Sequence, residues 1–175
     1  MSADTEKLHT VVHDGNGPPA LIVHGALGSR SYWNDNVAAL AEVCQPVVIE
    51  LWGHGRSPSP ADTNRYRPSG YVAEFERIRC ELGTSQVWVI GQSMGAAWVL
   101  HYVLANPERV IDAVLTNDTE EGRFQRLLPT VRLIPGVEIA DVPASHAVNA
   151  QDPAGWNSAT TSFMRHHRSG TSRTH

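Results

Sequence analysis

The sequence predicts an α/β fold, with a mostly parallel sheet covered by helices on both faces. Three observations carry that expectation. Short apolar, β-rich runs recur at residues 21–23, 47–49, 87–90 and 110–115. Helix-compatible segments separate them, the alternation expected of strand–helix–strand units. The chain has 175 residues, enough for one domain with one sizeable core.

Taken in order, residues 1–14 are polar and do not read as a signal peptide. The run Leu21-Ile22-Val23 leads into His24-Gly25-Ala26-Leu27-Gly28-Ser29, after which Trp33 starts a helix. Val47-Val48-Ile49 leads into Glu50-Leu51-Trp52-Gly53-His54-Gly55-Arg56-Ser57. Residues 57–69 hold too many prolines for a helix and read as a long loop. Residues 71–82 form the next helix. Val87-Trp88-Val89-Ile90 is a strand, and residues 94–104 form a helix that stops before Asn106-Pro107. After the strand at 110–115 come Asn117-Asp118-Thr119-Glu120-Glu121-Gly122 and a helix over 124–133. A turn at Ile134-Pro135-Gly136, an alternating strand (Val137, Ile139, Val142) and a loop carrying His146 follow. Gln151-Asp152-Pro153 then opens a closing helix. The organisation expected is one domain over residues 1–165, with 166–175 as a flexible tail.

The junction of the 87–90 strand and the following helix carries the chemistry. It reads Gly91-Gln92-Ser93-Met94-Gly95, a G-x-S-x-G pattern with a strand before it and a helix after it. That is the context of a nucleophile elbow, in which Ser93 stands at the end of a strand and at a helix N-terminus. Side chains at Gly91 or Gly95 would clash in so tight a turn. The helix N-terminus there favours developing negative charge. The alternative is an ordinary glycine-flanked turn.

Three segments in this order resemble the α/β-hydrolase-fold family: His24-Gly25-Ala26-Leu27-Gly28, Glu50-Leu51-Trp52-Gly53-His54-Gly55-Arg56-Ser57, and the elbow at Ser93. The resemblance covers roughly the N-terminal two-thirds of the chain. Glu50 stands where the family usually has Asp, which keeps a carboxylate. The resemblance implies oxyanion donors at the backbone N–H groups of Ala26 and Met94, a structural role for His24, and a substrate-facing position for Trp33 and the neighbouring Leu27. It also implies a triad in the chain order serine, acid, histidine, which points to His146 as the base. The remaining histidines precede Ser93, lie on the elbow helix (His101), or sit in the polar C-terminal stretch. The acid is Asp118, or else Glu120 or Glu121, or it is missing; an N-terminal helix cap accounts for the same carboxylates. Asp118 and His146 are separated by room for only one helix and one strand. The fold therefore reads as shortened between the sixth strand and the histidine strand, without the cap region usual in the family. In the shortened sheet the strand ending near Thr116 would lie beside the histidine strand, joined to it by a right-handed crossover.

The function these residues imply is a serine hydrolase acting through an acyl-enzyme on a small ester, thioester, amide or lactone, with no cofactor. The rivals are a catalytically impaired remnant with a binding role, and a non-hydrolytic use of the same fold as a lyase or cofactor-free haloperoxidase. A net charge of −4 gives a nucleic-acid partner no electrostatic support. No apolar run approaches the ~18 residues of a membrane span. Cys44 and Cys80 make no metal or redox spacing and fit reduced thiols in a cytoplasm.

Overall fold

The structure, a computed structural model, describes residues 6–116, 138, 140 and 142–168. Its strands are β1 (Thr10–Val12), β2 (Pro19–Val23), β3 (Gln45–Ile49), β4 (Val87–Gln92) and β5 (Val110–Thr116). Its helices are α1 (Asn34–Ala41), α2 (Pro68–Glu81), α3 (Met94–Ala105), α4 (Val148–Gln151) and α5 (Pro153–Arg168). The sheet order is β1-β3-β2-β4-β5. Among the described strands only β1 runs antiparallel to its neighbour.

Strand periodicity divides the core into two layers. Leu21, Val23, Val47, Ile49, Val87 and Val89 face α2 and α3, where they meet Tyr71, Phe75, Val99 and Tyr102. Ala20, Ile22, Val48, Trp88 and Ile90 face α1 and α5, where they meet Trp33, Leu40, Trp156 and Met164. Burial on both faces explains why these strands read as continuous apolar runs. Parallel pairing aligns their C-terminal ends: Val23 lies opposite Ile49 and Gly91, and Gln92 lies opposite Thr116. His24, Glu50 and Ser93 therefore emerge along one edge of the sheet, the usual place for a site in such folds.

The α/β architecture matches the expectation, with several local differences. β1 was not legible: three residues within a polar stretch carry no usable period, and pairing with β3 creates the strand. Helix α2 begins at Pro68 rather than residue 71, because proline at the first helical position needs no N–H partner. The preceding loop contains a 3₁₀ turn at Thr63–Tyr66. The expected histidine strand is not formed at Glu138, Ala140 or Val142, the described residues within it. Its apolar positions explain this: Val142 is out of phase with Val137 and Ile139, and Pro143 follows with no N–H for a ladder. Among the described residues β5 pairs with β4 alone, and the rest of the expected histidine strand lies outside them. The expected helix over 124–133 lies outside the described residues. Helix α5 continues through Arg168, past the expected domain boundary at 165. His167 is held there between Asp112 (2.7 Å) and Glu138 (3.3 Å), with its ring against Phe163. Among the described residues no helix is long and apolar enough to cross a membrane, and neither cysteine forms a disulfide: Cys44 is buried, its thiol donating to the Leu40 carbonyl at 3.3 Å, and Cys80 is exposed.

Candidate active site

Ser93 joins β4 to α3 at φ 52° and ψ −118°, a backbone conformation that costs a non-glycine residue of order 1–3 kcal/mol. Three sets of contacts hold it there. Its N–H donates to the Thr116 carbonyl at 2.9 Å, and its own carbonyl accepts from the Ala96 N–H at 3.0 Å. A Cβ on Gly91 would lie 2.6 Å from the Ala96 Cα and from the Gly95 carbonyl oxygen, so the strand can turn this sharply only with glycine. A Cβ on Gly95 would lie 2.4 Å from the Val23 carbonyl oxygen, so the first turn of α3 packs directly on the end of β2. The surrounding structure thus over-determines a strained serine.

The loop after β2 is folded against this serine. A Cβ on Gly25 would lie 2.9 Å from the Ser93 Cβ and 2.3 Å from the Gln92 Oε1. The Gly28 N–H closes a turn onto the Gly25 carbonyl at 3.2 Å, leaving Ala26 exposed and Leu27 at φ 59° with 98% of its surface exposed. Ala26 therefore follows directly the residue that touches Ser93. Met94, the residue after the serine, opens α3. No described acceptor is bonded to the Ala26 or Met94 N–H. The two donors that the family resemblance singles out are thus next in sequence to Gly25, which packs against Ser93, and to Ser93 itself.

Buried polar groups fix the loop. His24 is fully buried, and its Nε2 accepts the Leu51 N–H at 3.1 Å. The proton therefore sits on Nδ1, which donates to the Gly25 carbonyl at 2.7 Å. Burial, with the nearby His54 adding to it, pushes the His24 pKa down, so the ring is a neutral brace between β2 and β3. The Glu50 carboxylate accepts the Arg30 N–H at 3.1 Å and the Arg56 N–H at 2.8 Å, with His9 Nδ1 3.2 Å away. Burial raises its pKa, but these donors outweigh burial and leave it below the usual carboxylate value. Glu50 thus fulfils the structural role expected of Asp at this position, tying together the loops that follow β2 and β3.

His146 lies half-buried in the turn before α4, and its carbonyl accepts the Gln92 Nε2–H at 3.0 Å. The residue next to Ser93 thereby anchors the histidine loop. Ser145 donates through both its N–H and its hydroxyl to Gln151 Oε1, at 2.9 and 2.8 Å. Asn149 donates to the Tyr32 carbonyl at 3.1 Å, while Asn36 donates to the Asn149 carbonyl at 3.0 Å and to Asn157 Oδ1 at 2.9 Å. The loop is thus bolted to both the elbow and α1. Asp118, Glu120 and Glu121 lie outside the described residues.

Trp33 does not face the site. It is fully buried in the α1/α5 layer, 5.5 Å from the Trp156 ring, because its large apolar surface completes the core beneath the loop. Trp98 packs on Tyr71 at 4.6 Å between α2 and α3. Sequence reading missed Gln92, Thr116 and the asparagine set. Their sequence signal is weak: an amide beside the serine, a threonine ending a strand, and asparagines spaced along otherwise amphipathic helices.

Comparison with known proteins agrees with this geometry. A family model described as the alpha/beta hydrolase fold matches residues 18–135. The proline iminopeptidase of Levilactobacillus brevis is 29% identical over 170 residues, which cover 93% of this chain and 56% of that protein. The proline iminopeptidase of Heyndrickxia coagulans is 30% identical over 104 residues, covering 59% of this chain and 36% of that protein. An epoxide hydrolase from an endophytic Streptomyces superposes with a TM-score of 0.60 at 30% identity, over 63% of this chain and 34% of that one. An alpha/beta hydrolase from Novosphingobium aromaticivorans gives 0.60 at 26% identity, over 74% and 47%. The chain spans about half the length of the longest-matching curated relatives. With a family match across most of its length, and the serine elbow, the Gly25 loop and the Glu50 turn at one sheet edge, the chain belongs to the α/β hydrolase fold family.

Proposed function

We propose that the chain carries a serine acyl hydrolase site. In this reading the Ser93 hydroxyl attacks a carbonyl carbon while His146 takes the proton, and the N–H groups of Ala26 and Met94 hold the developing oxyanion. The imidazolium then protonates the leaving group as the carbonyl re-forms. Water, deprotonated by the same histidine, releases the acid and regenerates the serine. Asp118 is the group proposed to orient His146, with Glu120 or Glu121 as alternatives. The substrates proposed are a small ester, thioester, amide or lactone, and the relatives named proline iminopeptidase favour the amide within that set. The observation that carries the reading is the strained backbone of Ser93 with the Gly25 loop against its side chain.

A fluorophosphonate probe tests it without knowledge of the substrate. Labelling at Ser93, lost in Ser93→Ala together with p-nitrophenyl acetate hydrolysis, is the expected result. Labelling that persists in Ser93→Ala rejects the assignment. The alternative, a binding protein on a catalytically impaired fold, predicts a folded protein that the probe leaves untouched.

A further inference from the structure

The Glu50 carboxylate serves two loops, and a third element holds it. The Arg30 N–H and the Arg56 N–H, which it accepts, belong to the loops after β2 and β3. His9 Nδ1, 3.2 Å from Glu50 Oε2, belongs to neither. Thr10 pairs with Ile49, so His9 lies beside Glu50 on the outer side of β3. That stretch is firmly fixed. Leu8 is buried in the core, and its N–H donates to Glu74 Oε2 at 2.9 Å. The His9 N–H donates to Ser57 Oγ at 2.8 Å, and the Ser57 hydroxyl donates to the Glu50 carbonyl at 2.6 Å. The His9 carbonyl accepts the Glu50 N–H at 3.0 Å. On the far side, a Cβ on Gly55 would occupy the space of the carboxylate, so only glycine admits it there.

We propose that His9 is a positioning residue for the loop after β2: its ring holds the Glu50 carboxylate, and Glu50 holds the Arg30 end of the loop that carries the Ala26 N–H. The Gly25 end of that loop needs no such help. It packs on Ser93 and is braced by His24 Nδ1 on its carbonyl at 2.7 Å. Ala26 and Leu27 are exposed, so packing does not steady the stretch between the two ends. The carboxylate at Arg30 does. Both groups that it ties together are loop amides, and they supply no fixed reference of their own. His9 supplies one, because its backbone is bonded to Ser57 and Glu50 whatever its side chain does. Nδ1 approaches Oε2 off the hydrogen-bond line, so the ring acts on the carboxylate by electrostatic attraction. The ring is 29% exposed, and its packing contributes little beside that contact. The inference rests on the hydrolase reading for its effect on rate, while the hold on the loop does not.

The test uses the full chain, p-nitrophenyl acetate turnover, fluorophosphonate labelling of Ser93, and hydrogen exchange of the Arg30 amide read by NMR. His9→Leu keeps the backbone bonds and removes the ring nitrogens. It is expected to lower kcat about tenfold with KM within about twofold, and to speed exchange at Arg30 by a similar factor. Labelling should slow about tenfold yet still go to completion, which separates a displaced loop from a partly unfolded protein. His9→Asn sets an amide N–H close to where Nδ1 stands and should restore the rates to within about threefold of the parent. Glu50→Asp draws the carboxylate back by about 1.5 Å, one carbon–carbon bond, and adding His9→Leu to it should lower kcat no further. His9→Ala reports the same losses should His9→Leu fail to fold. Parent rates in His9→Leu, no recovery in His9→Asn, or losses that multiply in the double variant overturn the proposal. A parent protein that the probe leaves unlabelled at Ser93 rejects the hydrolase reading. Exchange at Arg30 then scores the hold on the loop alone, and unchanged exchange in His9→Leu overturns it.

Discussion

Two glycine-to-alanine substitutions a few ångströms apart should have opposite signatures, because their new methyl groups meet different kinds of atom. At Gly91 the added Cβ lies 2.6 Å from the Ala96 Cα and the Gly95 carbonyl oxygen and 2.7 Å from the Ala96 nitrogen. All three are backbone in the first turn of α3 and cannot swing away, so the helix must shift. Overpacking of that kind costs about 1–3 kcal/mol, and the Gly91 contacts place it at the upper end. Alanine recovers about 0.5–1 kcal/mol of chain entropy, leaving about 2 kcal/mol and a fall in Tm of roughly 4–8 °C. At Gly25 the nearest atom is Gln92 Oε1 at 2.3 Å, the far end of a flexible side chain. That amide can rotate away, so stability should fall by less than about 1 kcal/mol. Its departure breaks the bond to the His146 carbonyl, and the methyl also crowds the Ser93 Cβ at 2.9 Å. Misplacement of about an ångström at a reacting centre costs on the order of 10²-fold in rate. Calorimetry and fluorophosphonate labelling rates on both variants measure the two effects. If Gly25→Ala labels at the parent rate, or Gly91→Ala melts with the parent, contact with the elbow does not control the site as argued.

Ser93→Gly should raise Tm by roughly 2–4 °C, since glycine occupies φ 52° without the cost that serine bears there; a lower Tm contradicts the strain. Arg79 hydrogen-bonds Glu76 and, against the effect of burial and with help from Tyr102, pulls its carboxyl pKa from 4.5 to about 2. A carboxylate with a depressed folded pKa stabilises fully above pH 4.5 and loses that contribution as the pH falls toward 2. Glu76→Gln should therefore cost about 1–2 kcal/mol at neutral pH, allowing for its partial exposure, and the gap to the parent in urea melts should close through that window. Asp118→Asn should lower p-nitrophenyl acetate turnover by roughly 10–10³-fold with little change in stability, and Glu120→Gln with Glu121→Gln should do less. The opposite ranking moves the acid to a glutamate.

The parallel core was legible because burial on both faces forces long apolar runs, and the elbow because a strained serine between strand and helix needs glycines at fixed offsets. Both signals are local. The failures were tertiary. Thr10–Val12 is a strand only because β3 offers it an edge. At Glu138, Ala140 and Val142 the expected strand is not formed, in keeping with a Val142 out of phase with Val137 and Ile139 and with Pro143 after it. Trp33 followed a motif and was read as facing substrate, but an indole beside a forming core is drawn into it. Gln92 and Asn149 act through hydrogen bonds to carbonyls distant in sequence, and no spacing encodes those partners.

Thr116 connects these observations. Its carbonyl holds the N–H of the strained serine, and its hydroxyl receives the Trp156 indole N–H. The last residue of β5 thus ties the nucleophile to α5, while Gln92 ties the same strand end to the histidine loop. These bonds supply rigidity at the C-terminal sheet edge without a further strand beyond β5 among the described residues. They also explain how a strained elbow persists: the strain is resisted by the end of β2, the first turn of α3 and the Thr116 carbonyl.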